Sequence, residues 1–238
     1  MIKPIEFTVE NFSLRGNFYI PDGEKNPPGV ILFHGSGSKG LSLAVLAEKL
    51  MNNGIFAFFF NFRGCGESDG NYYEQTIADG LKDARTAFDF FLGQDVNHDR
   101  IGVVGSSFGG EIASLIFKEY PIKSMIFRSP SASDRPTSST IDQGSEEDEH
   151  NYYFVHSEKW ESSQSLENIA EFEGSLLLIE SSNDNNVPEN LVQKYFDSAT
   201  SSKNKKIEVI KGADHRLSKQ EWIDEFVDIS LDWFLETL

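Results

Sequence analysis

The sequence predicts an α/β fold, a mostly parallel sheet of eight strands with helices on both faces. Three observations point to it. Short apolar runs alternate with helical stretches from about residue 29 onward, the rhythm of strands joined by helical crossovers. The run Ile55–Phe60, IFAFFF, is apolar at every position, as expected of a strand buried on both faces. A length of 238 residues suits one α/β domain, expected to span 1–238.

Taken in order, Ile5–Val9 and Leu14–Ile20 predict an antiparallel pair ending at Pro21, and Pro27-Pro28 closes a turn. Parallel strands are then expected at Val30–Phe33, Ile55–Phe60, Ile101–Gly105, Ser124–Phe127, Leu176–Ile179 and Lys206–Ile210. Helices are expected at Leu41–Asn53, Gln75–Leu92, Phe108–Glu119, Pro188–Ala199 and Gln220–Leu238. One stretch breaks the rhythm. Residues 129–165 show no clear period, with SPSASDRPTSST followed by the acidic QGSEEDEH and the aromatics Tyr152, Tyr153, Phe154 and Trp160. They predict a short lid-like insertion at the active edge of the sheet, with a plain surface loop as the alternative.

Composition excludes several classes. Hydrophobic residues make up 39% and include 20 Phe, enough for a large, ring-rich core. The net charge of −17 argues against nucleic acid, which needs clustered Lys and Arg, and against anionic membrane surfaces. The longest apolar run is too short to span a bilayer, so no membrane insertion is expected. Cys65 is the single cysteine, and no internal disulfide can form. With no apolar run near the N-terminus to read as a signal peptide, a reducing, cytoplasmic setting is expected.

The segment VILFHGSGSKG carries Gly35, Gly37 and Gly40 at the spacing G-x-G-x-x-G. A dinucleotide site needs an acid after the next strand for the ribose hydroxyl, and Asn61, Phe62 and Arg63 stand there instead. Arg63 keeps a 2′-phosphate reading open but weak. Lys39 precedes Gly40 and not Ser or Thr, so the Walker pattern fails as well.

Chemistry gathers elsewhere. The strand Ile101–Gly105 runs into GSSFG, a G-x-S-x-G with Ser107 at its centre. A nucleophile on a sharp strand-to-helix turn needs small residues two positions away on each side, which Gly105 and Gly109 supply. The helix N-terminus that follows stabilises negative charge. Ser106 lacks the flanking glycines. A serine hydroxyl needs a base, and five histidines are candidates. His98 lies in a turn, and His150 and His156 lie in the insertion. His34 ends a strand beside the glycines. His215, in GADHRLS, follows the strand Lys206–Ile210, where parallel sheets collect their sites. The base needs an acid. Asp184, in ESSNDNNVPE, follows Leu176–Ile179; its other reading is an Asx turn among Asn183, Asn185 and Asn186. Asp214 ranks lower, since side chains adjacent in sequence seldom face each other.

The order Ser107, Asp184, His215 is that of the α/β-hydrolases. With FHGSGS, NFRGCGESDG, GSSFGG, NDNNVP and GADH, the chain resembles the small bacterial esterase, serine-aminopeptidase-like and dienelactone-hydrolase-like branch of that superfamily. The resemblance implies an oxyanion hole made by the backbone N–H groups of Ser36 and Phe108, with His34, Gly35, Gly105 and Gly109 supporting the loops. On it, GSGSKG serves one oxyanion and its spacing is coincidental. The chain departs from the usual pattern at Asn61, where Asp is common, and at Glu180 and Ser181, where His-Gly is common. Arg63 is read as bracing loops and Cys65 as a packed residue.

The resemblance implies a serine hydrolase acting on small to medium carboxylic esters through an acyl-enzyme. It implies a small-molecule ester partner, no metal or organic cofactor, and a monomer or homodimer. Thioesterase or aminopeptidase-like amidase activity on the same residues is the alternative. A non-catalytic binding protein of the same fold is the rival from another class.

Overall fold

Eight strands form one sheet in the order β1-β2-β4-β3-β5-β6-β7-β8. The structure is a computed structural model that describes residues 1–132 and 160–238. The strands are β1 (Ile2–Val9), β2 (Phe12–Tyr19), β3 (Gly29–Phe33), β4 (Phe56–Phe60), β5 (Ile101–Ser106), β6 (Ile122–Arg128), β7 (Ser175–Ser181) and β8 (Asn204–Ile210). The hairpin of β1 and β2 is antiparallel, and β2 joins β4 antiparallel; every other pairing is parallel. The expected sheet is therefore present, with most strands longer by one to three residues than the apolar runs alone suggest.

Among the described residues six helices cover it: α1 (Leu41–Asn52), α2 (Ile77–Leu92), α3 (Phe108–Ile116), α4 (Gln164–Ile169), α5 (Leu191–Ser198) and α6 (Gln220–Thr237). Strand alternation decides which face each one meets. In β3, Ile31 and Phe33 join the cluster under α2, α3, α4 and α5. Val30 and Leu32 join the cluster under α1 and α6. In β4, Phe56, Phe58 and Phe60 turn to the first face, and Ala57 and Phe59 to the second. The rings interlock edge to face, as Phe18 with Phe58 at 4.9 Å and Phe60 with Phe62 at 4.9 Å between centroids.

The helix ends differ from the sequence reading for local reasons. Helix α2 starts at Ile77 and not Gln75, because Thr76 and Asp79 form a reciprocal capping box. Residues 188–190 stay outside α5, and Phe117–Glu119 tightens into a 3₁₀ turn after α3. Helix α4 was not expected; at six residues it is too short to show a period. The expected insertion at 129–165 falls mostly on residues 133–159, with His150, His156, Tyr152, Tyr153 and Phe154, which lie outside the described residues. Its described ends are ordered into the core. The Tyr195 hydroxyl of α5 donates to the Ser131 carbonyl at 2.7 Å, and Trp160 packs on the larger cluster.

The strand order places the site. Strand β3 lies between β4 and β5, so the chain leaves its carboxyl end toward both sides and opens a crevice there. Phe33 pairs with Gly105, so His34 and Ser106 emerge side by side from the sheet.

A buried ion cluster braces this edge. After β4, the Arg63 guanidinium donates to Asp83 at 2.7 and 3.0 Å and to Asp79 at 2.9 Å. Its amide donates to Asp83 at 2.9 Å, its carbonyl accepts from Gln75, and its cation lies 4.9 Å from the Phe12 ring centroid. The cluster thus ties the β1–β2 hairpin, the 61–70 loop and α2 together, the bracing role read from the sequence. It also removes the 2′-phosphate reading, because the donors of Arg63 are engaged by acids. Breaking one member of a buried pair strands the other charge. Asp83→Ala is expected to lower unfolding free energy by about 3–5 kcal/mol in urea titrations, against about 1 kcal/mol or less for the more exposed Asp79→Ala. A loss below about 1 kcal/mol for Asp83→Ala contradicts the bracing role.

Candidate active site

Ser107 stands between β5 and α3 with φ 51° and ψ −118°, a backbone state that side-chain-bearing residues rarely adopt. Its surroundings hold it there. The Ser107 amide donates to the Arg128 carbonyl at 3.0 Å, and its own carbonyl accepts from the amides of Gly110 (2.9 Å), Ser131 (3.1 Å) and Glu111 (3.2 Å). The flanking glycines are needed for space. A Cβ on Gly105 would lie 2.5 Å from the Gly110 Cα, and one on Gly109 would lie 2.1 Å from the Phe33 carbonyl oxygen. The elbow read from GSSFG is therefore present, and its glycines serve close approach between β3, β5 and α3.

The three expected side chains meet. His215 Nε2 lies 3.1 Å from Ser107 Oγ, and His215 Nδ1 lies 2.7 Å from Asp184 Oδ2. Asp184 follows β7, and His215 follows β8. Their loops are stitched by Asn183 N–H to the Ala213 carbonyl at 2.9 Å and Gly212 N–H to Ser182 Oγ at 2.7 Å. Both readings of Asp184 hold at once. Its Oδ1 accepts from the Asn186 amide at 2.8 Å, an Asx turn that aims Oδ2 at the imidazole. Asp214 instead folds onto its own loop, accepting from the amides of Arg216 (3.1 Å) and Ser218 (3.0 Å) and from the Ser218 hydroxyl.

These contacts set protonation. Burial raises the Asp184 carboxyl, but the hydrogen bonds from His215 and the Asn186 amide outweigh it and hold it below its usual value. Burial lowers His215, and the bond to Asp184 only partly restores it. At neutral pH the imidazole is uncharged, with Nδ1–H toward the carboxylate and the Nε2 lone pair toward the serine hydroxyl.

A cavity of about 330 Å³ opens over these groups, walled by the 34–40 loop, Tyr72, Ser107 and His215. Ser36 lines it, and Phe108 opens α3 directly after Ser107, its ring 5.4 Å from that of Phe62. Gly35 sits against the serine: a Cβ there would come within 3.2 Å of Ser107 Cβ. His34 is buried under the loop. Its Nε2 accepts from the Phe62 amide at 3.0 Å, so Nδ1 carries the proton and donates to the Gly35 carbonyl at 2.6 Å. Burial pushes its pKa down to about 4. Cys65 is buried and its thiol pushed up to about 11, which fits a packing role.

Arg128 escaped the sequence reading, which ended its strand at Phe127. It is 6% exposed. Its guanidinium donates to Ser106 Oγ at 2.6 and 2.9 Å and to the His215 carbonyl at 2.7 Å, so one side chain holds both the elbow and the histidine loop. The signal was a lone cation ending an apolar strand at the carboxyl edge of the sheet. Among the described residues, no group of three or more His, Cys, Asp or Glu is placed to hold a metal ion. No helix among them is long and apolar enough to cross a membrane.

A family model described as serine aminopeptidase, S33, matches residues 25–144, slightly more than half of the chain. The chain belongs to this family of α/β-hydrolases. Among curated relatives of this S33 member, an uncharacterized protein of Mycobacterium tuberculosis is 30% identical over 124 residues, covering 52% of this chain and 43% of that protein. Protein phosphatase methylesterase 1 of Candida glabrata is 26% identical over 136 residues, covering 50% and 34%. The chain thus spans less than half the length of these relatives. In structure it is similar to Est1E of Butyrivibrio proteoclasticus with ferulic acid bound, at TM-score 0.78 and 17% identity over 98% of each chain. It is likewise similar to dienelactone hydrolase of Anabaena variabilis, at TM-score 0.71 and 18% identity over 100% of this chain and 98% of that one. At these identities the likeness is one of fold.

The buried neutral His34 makes stability pH-dependent. Its folded pKa near 4 lies below the ordinary 6.5, so the unfolded chain takes up the proton first as pH falls. The contribution is complete above 6.5 and is lost as pH drops from 6.5 toward 4, by about 3 kcal/mol in all. Denaturant midpoints of His34→Gln and the parent chain between pH 7 and 4 are expected to converge by roughly that amount; parallel curves contradict it.

Proposed function

We propose that this S33 hydrolase cleaves carboxylic esters of small to medium acyl groups through an acyl-enzyme on Ser107. The observation that carries the reading is the continuous line Ser107 Oγ, His215, Asp184, with both separations in hydrogen-bond range. In the first half, Ser107 Oγ attacks the ester carbonyl carbon as its proton moves to His215 Nε2. The oxygen that gains charge faces the amides of Ser36 and Phe108, each such donor being worth about 10²–10³ in rate. His215 then protonates the departing alcohol. In the second half, water enters, His215 takes its proton, and hydroxide attack releases the acid and restores the serine. Asp184 stays ionised, holding the tautomer and offsetting the imidazolium. One ester and one water become one acid and one alcohol.

Ester over amide is supported by the cavity. An aminopeptidase must hold an ammonium group, which calls for a carboxylate, and no Asp or Glu lines the cavity among the described residues. A volume of about 330 Å³ is at the small end for ligand pockets and fits modest acyl groups. A non-catalytic binding protein would have no use for an uncharged imidazole aimed at a strained serine. The single buried cysteine fits a reducing, cytoplasmic setting.

With p-nitrophenyl butyrate, Ser107→Ala is expected to lower kcat/KM by on the order of 10⁵ or more, and Asp184→Asn by about 10³–10⁴. The pH profile of kcat/KM follows from the depressed His215. The base works when uncharged, so the rate climbs with pH through a single acid limb whose midpoint lies below 6.5 and is flat above it. Turnover surviving in Ser107→Ala, or an acid limb centred above 7, contradicts the assignment.

A further inference from the structure

The charge around the cavity runs against that of the whole chain. The protein carries 38 acidic and 21 basic residues, a net charge of −17. Yet among the described residues the cavity lining holds three cations, Lys39, Arg128 and Arg216, together with five serines and no carboxylate. Lys39 and Arg216 are exposed at the mouth, on the 34–40 loop and directly after His215, while Arg128 is buried at the base. None of the three forms an ion pair among the described residues, whereas Arg15, Arg63 and Arg85 all do. The two acids on the adjoining loops form no ion pair with them among the described residues. Asp184 is spent on His215 and the Asn186 amide, and Asp214 on the amides of its own loop; the fields of both act on Arg128. Two cations are thus left facing the entrance of a polar pocket.

A buried, unpaired guanidinium is costly to hold, and an acidic surface repels anions at long range. A local reversal of sign at the reacting serine favours a substrate that brings negative charge with it. Resting on the esterase reading, we propose that the natural substrate is an ester bearing a carboxylate, its charge bound at the mouth by Lys39 and Arg216 and its scissile carbonyl over Ser107. The pocket thereby selects mono-anionic esters over neutral esters of the same shape. Hydroxyls of the lining serines suit the remaining carboxylate lone pairs.

Matched substrate pairs test this in the full chain. Mono-4-nitrophenyl adipate against 4-nitrophenyl hexanoate places the charge on the acyl part. The butyryl ester of 4-hydroxybenzoate against that of methyl 4-hydroxybenzoate places it on the leaving part. At low ionic strength kcat/KM is expected to favour the anion by on the order of tenfold in at least one pair, a few-fold per cation. The ratio is expected to shrink as sodium chloride approaches about 1 M, where the screening length is only ~3 Å. It is also expected to collapse toward one in Lys39→Gln/Arg216→Gln. The arm that shows the preference tells which part of the ester carries the charge. Equal or better turnover of the neutral ester in both pairs, or a ratio unmoved by the double substitution, overturns the proposal and leaves the esterase reading standing. No turnover of any of the four above the Ser107→Ala level overturns both.

Discussion

The backbone of Ser107 is the constraint on which the site depends. A non-glycine residue at φ 51°, ψ −118° stores of the order of 1–3 kcal/mol and persists only where its surroundings over-determine it. Four hydrogen bonds to the backbone of this one residue do so, three of them converging on its carbonyl. The rest of the architecture is arranged to allow them. Strands β3 and β5 must be neighbours for the Gly109 backbone to press against Phe33, and both Gly105 and Gly109 must lack side chains. The reward is an Oγ that borders the cavity at a helix N-terminus, with Gly35 on one side and His215 on the other.

Two imidazoles, His34 buried and His215 partly buried, show how partners assign roles. His34 and His215 both end up uncharged because burial disfavours the cation. His34 is held on both nitrogens by backbone groups, so it can only brace the 34–40 loop. His215 has a carboxylate on Nδ1 and leaves Nε2 to a hydroxyl, so a proton can arrive there and be stabilised. The two buried arginines divide in the same way. Arg63 is neutralised by Asp83 and Asp79 and ties elements together. Among the described residues Arg128 bonds only neutral oxygens, those of Ser106, Ser181 and the His215 backbone, so its charge is felt in the cavity.

Features written in short stretches were legible in the sequence. The strand rhythm, the GSSFG elbow and the chain order of serine, acid and histidine each rest on local chemistry, and the structure brings Ser107, Asp184 and His215 together. The choice of Asp184 over Asp214 was legible too, because adjacent side chains diverge. Features that depend on distant partners were not. The role of Arg128 needs Ser106 and His215, 22 and 87 residues away, to become visible. The reversal of charge at the cavity mouth appears only when Lys39 and Arg216 are folded to the same opening. Helix α4 is fixed by packing on α3 and α5, which six residues of sequence do not announce. The glycine spacing at 35, 37 and 40 misleads without its neighbours. Its first member packs closely against Ser107, a contact across 72 residues of chain.

The central claim is that Ser107 is a nucleophile activated by His215. Intact-mass and peptide mass spectrometry after brief exposure to a fluorophosphonate tests it directly, since the reagent bonds only to an activated hydroxyl. The account predicts a single adduct per chain on the peptide containing Ser107, with labelling slowed by orders of magnitude in His215→Ala. An adduct on another residue, or labelling of Ser107 at the same rate without the imidazole, would contradict it.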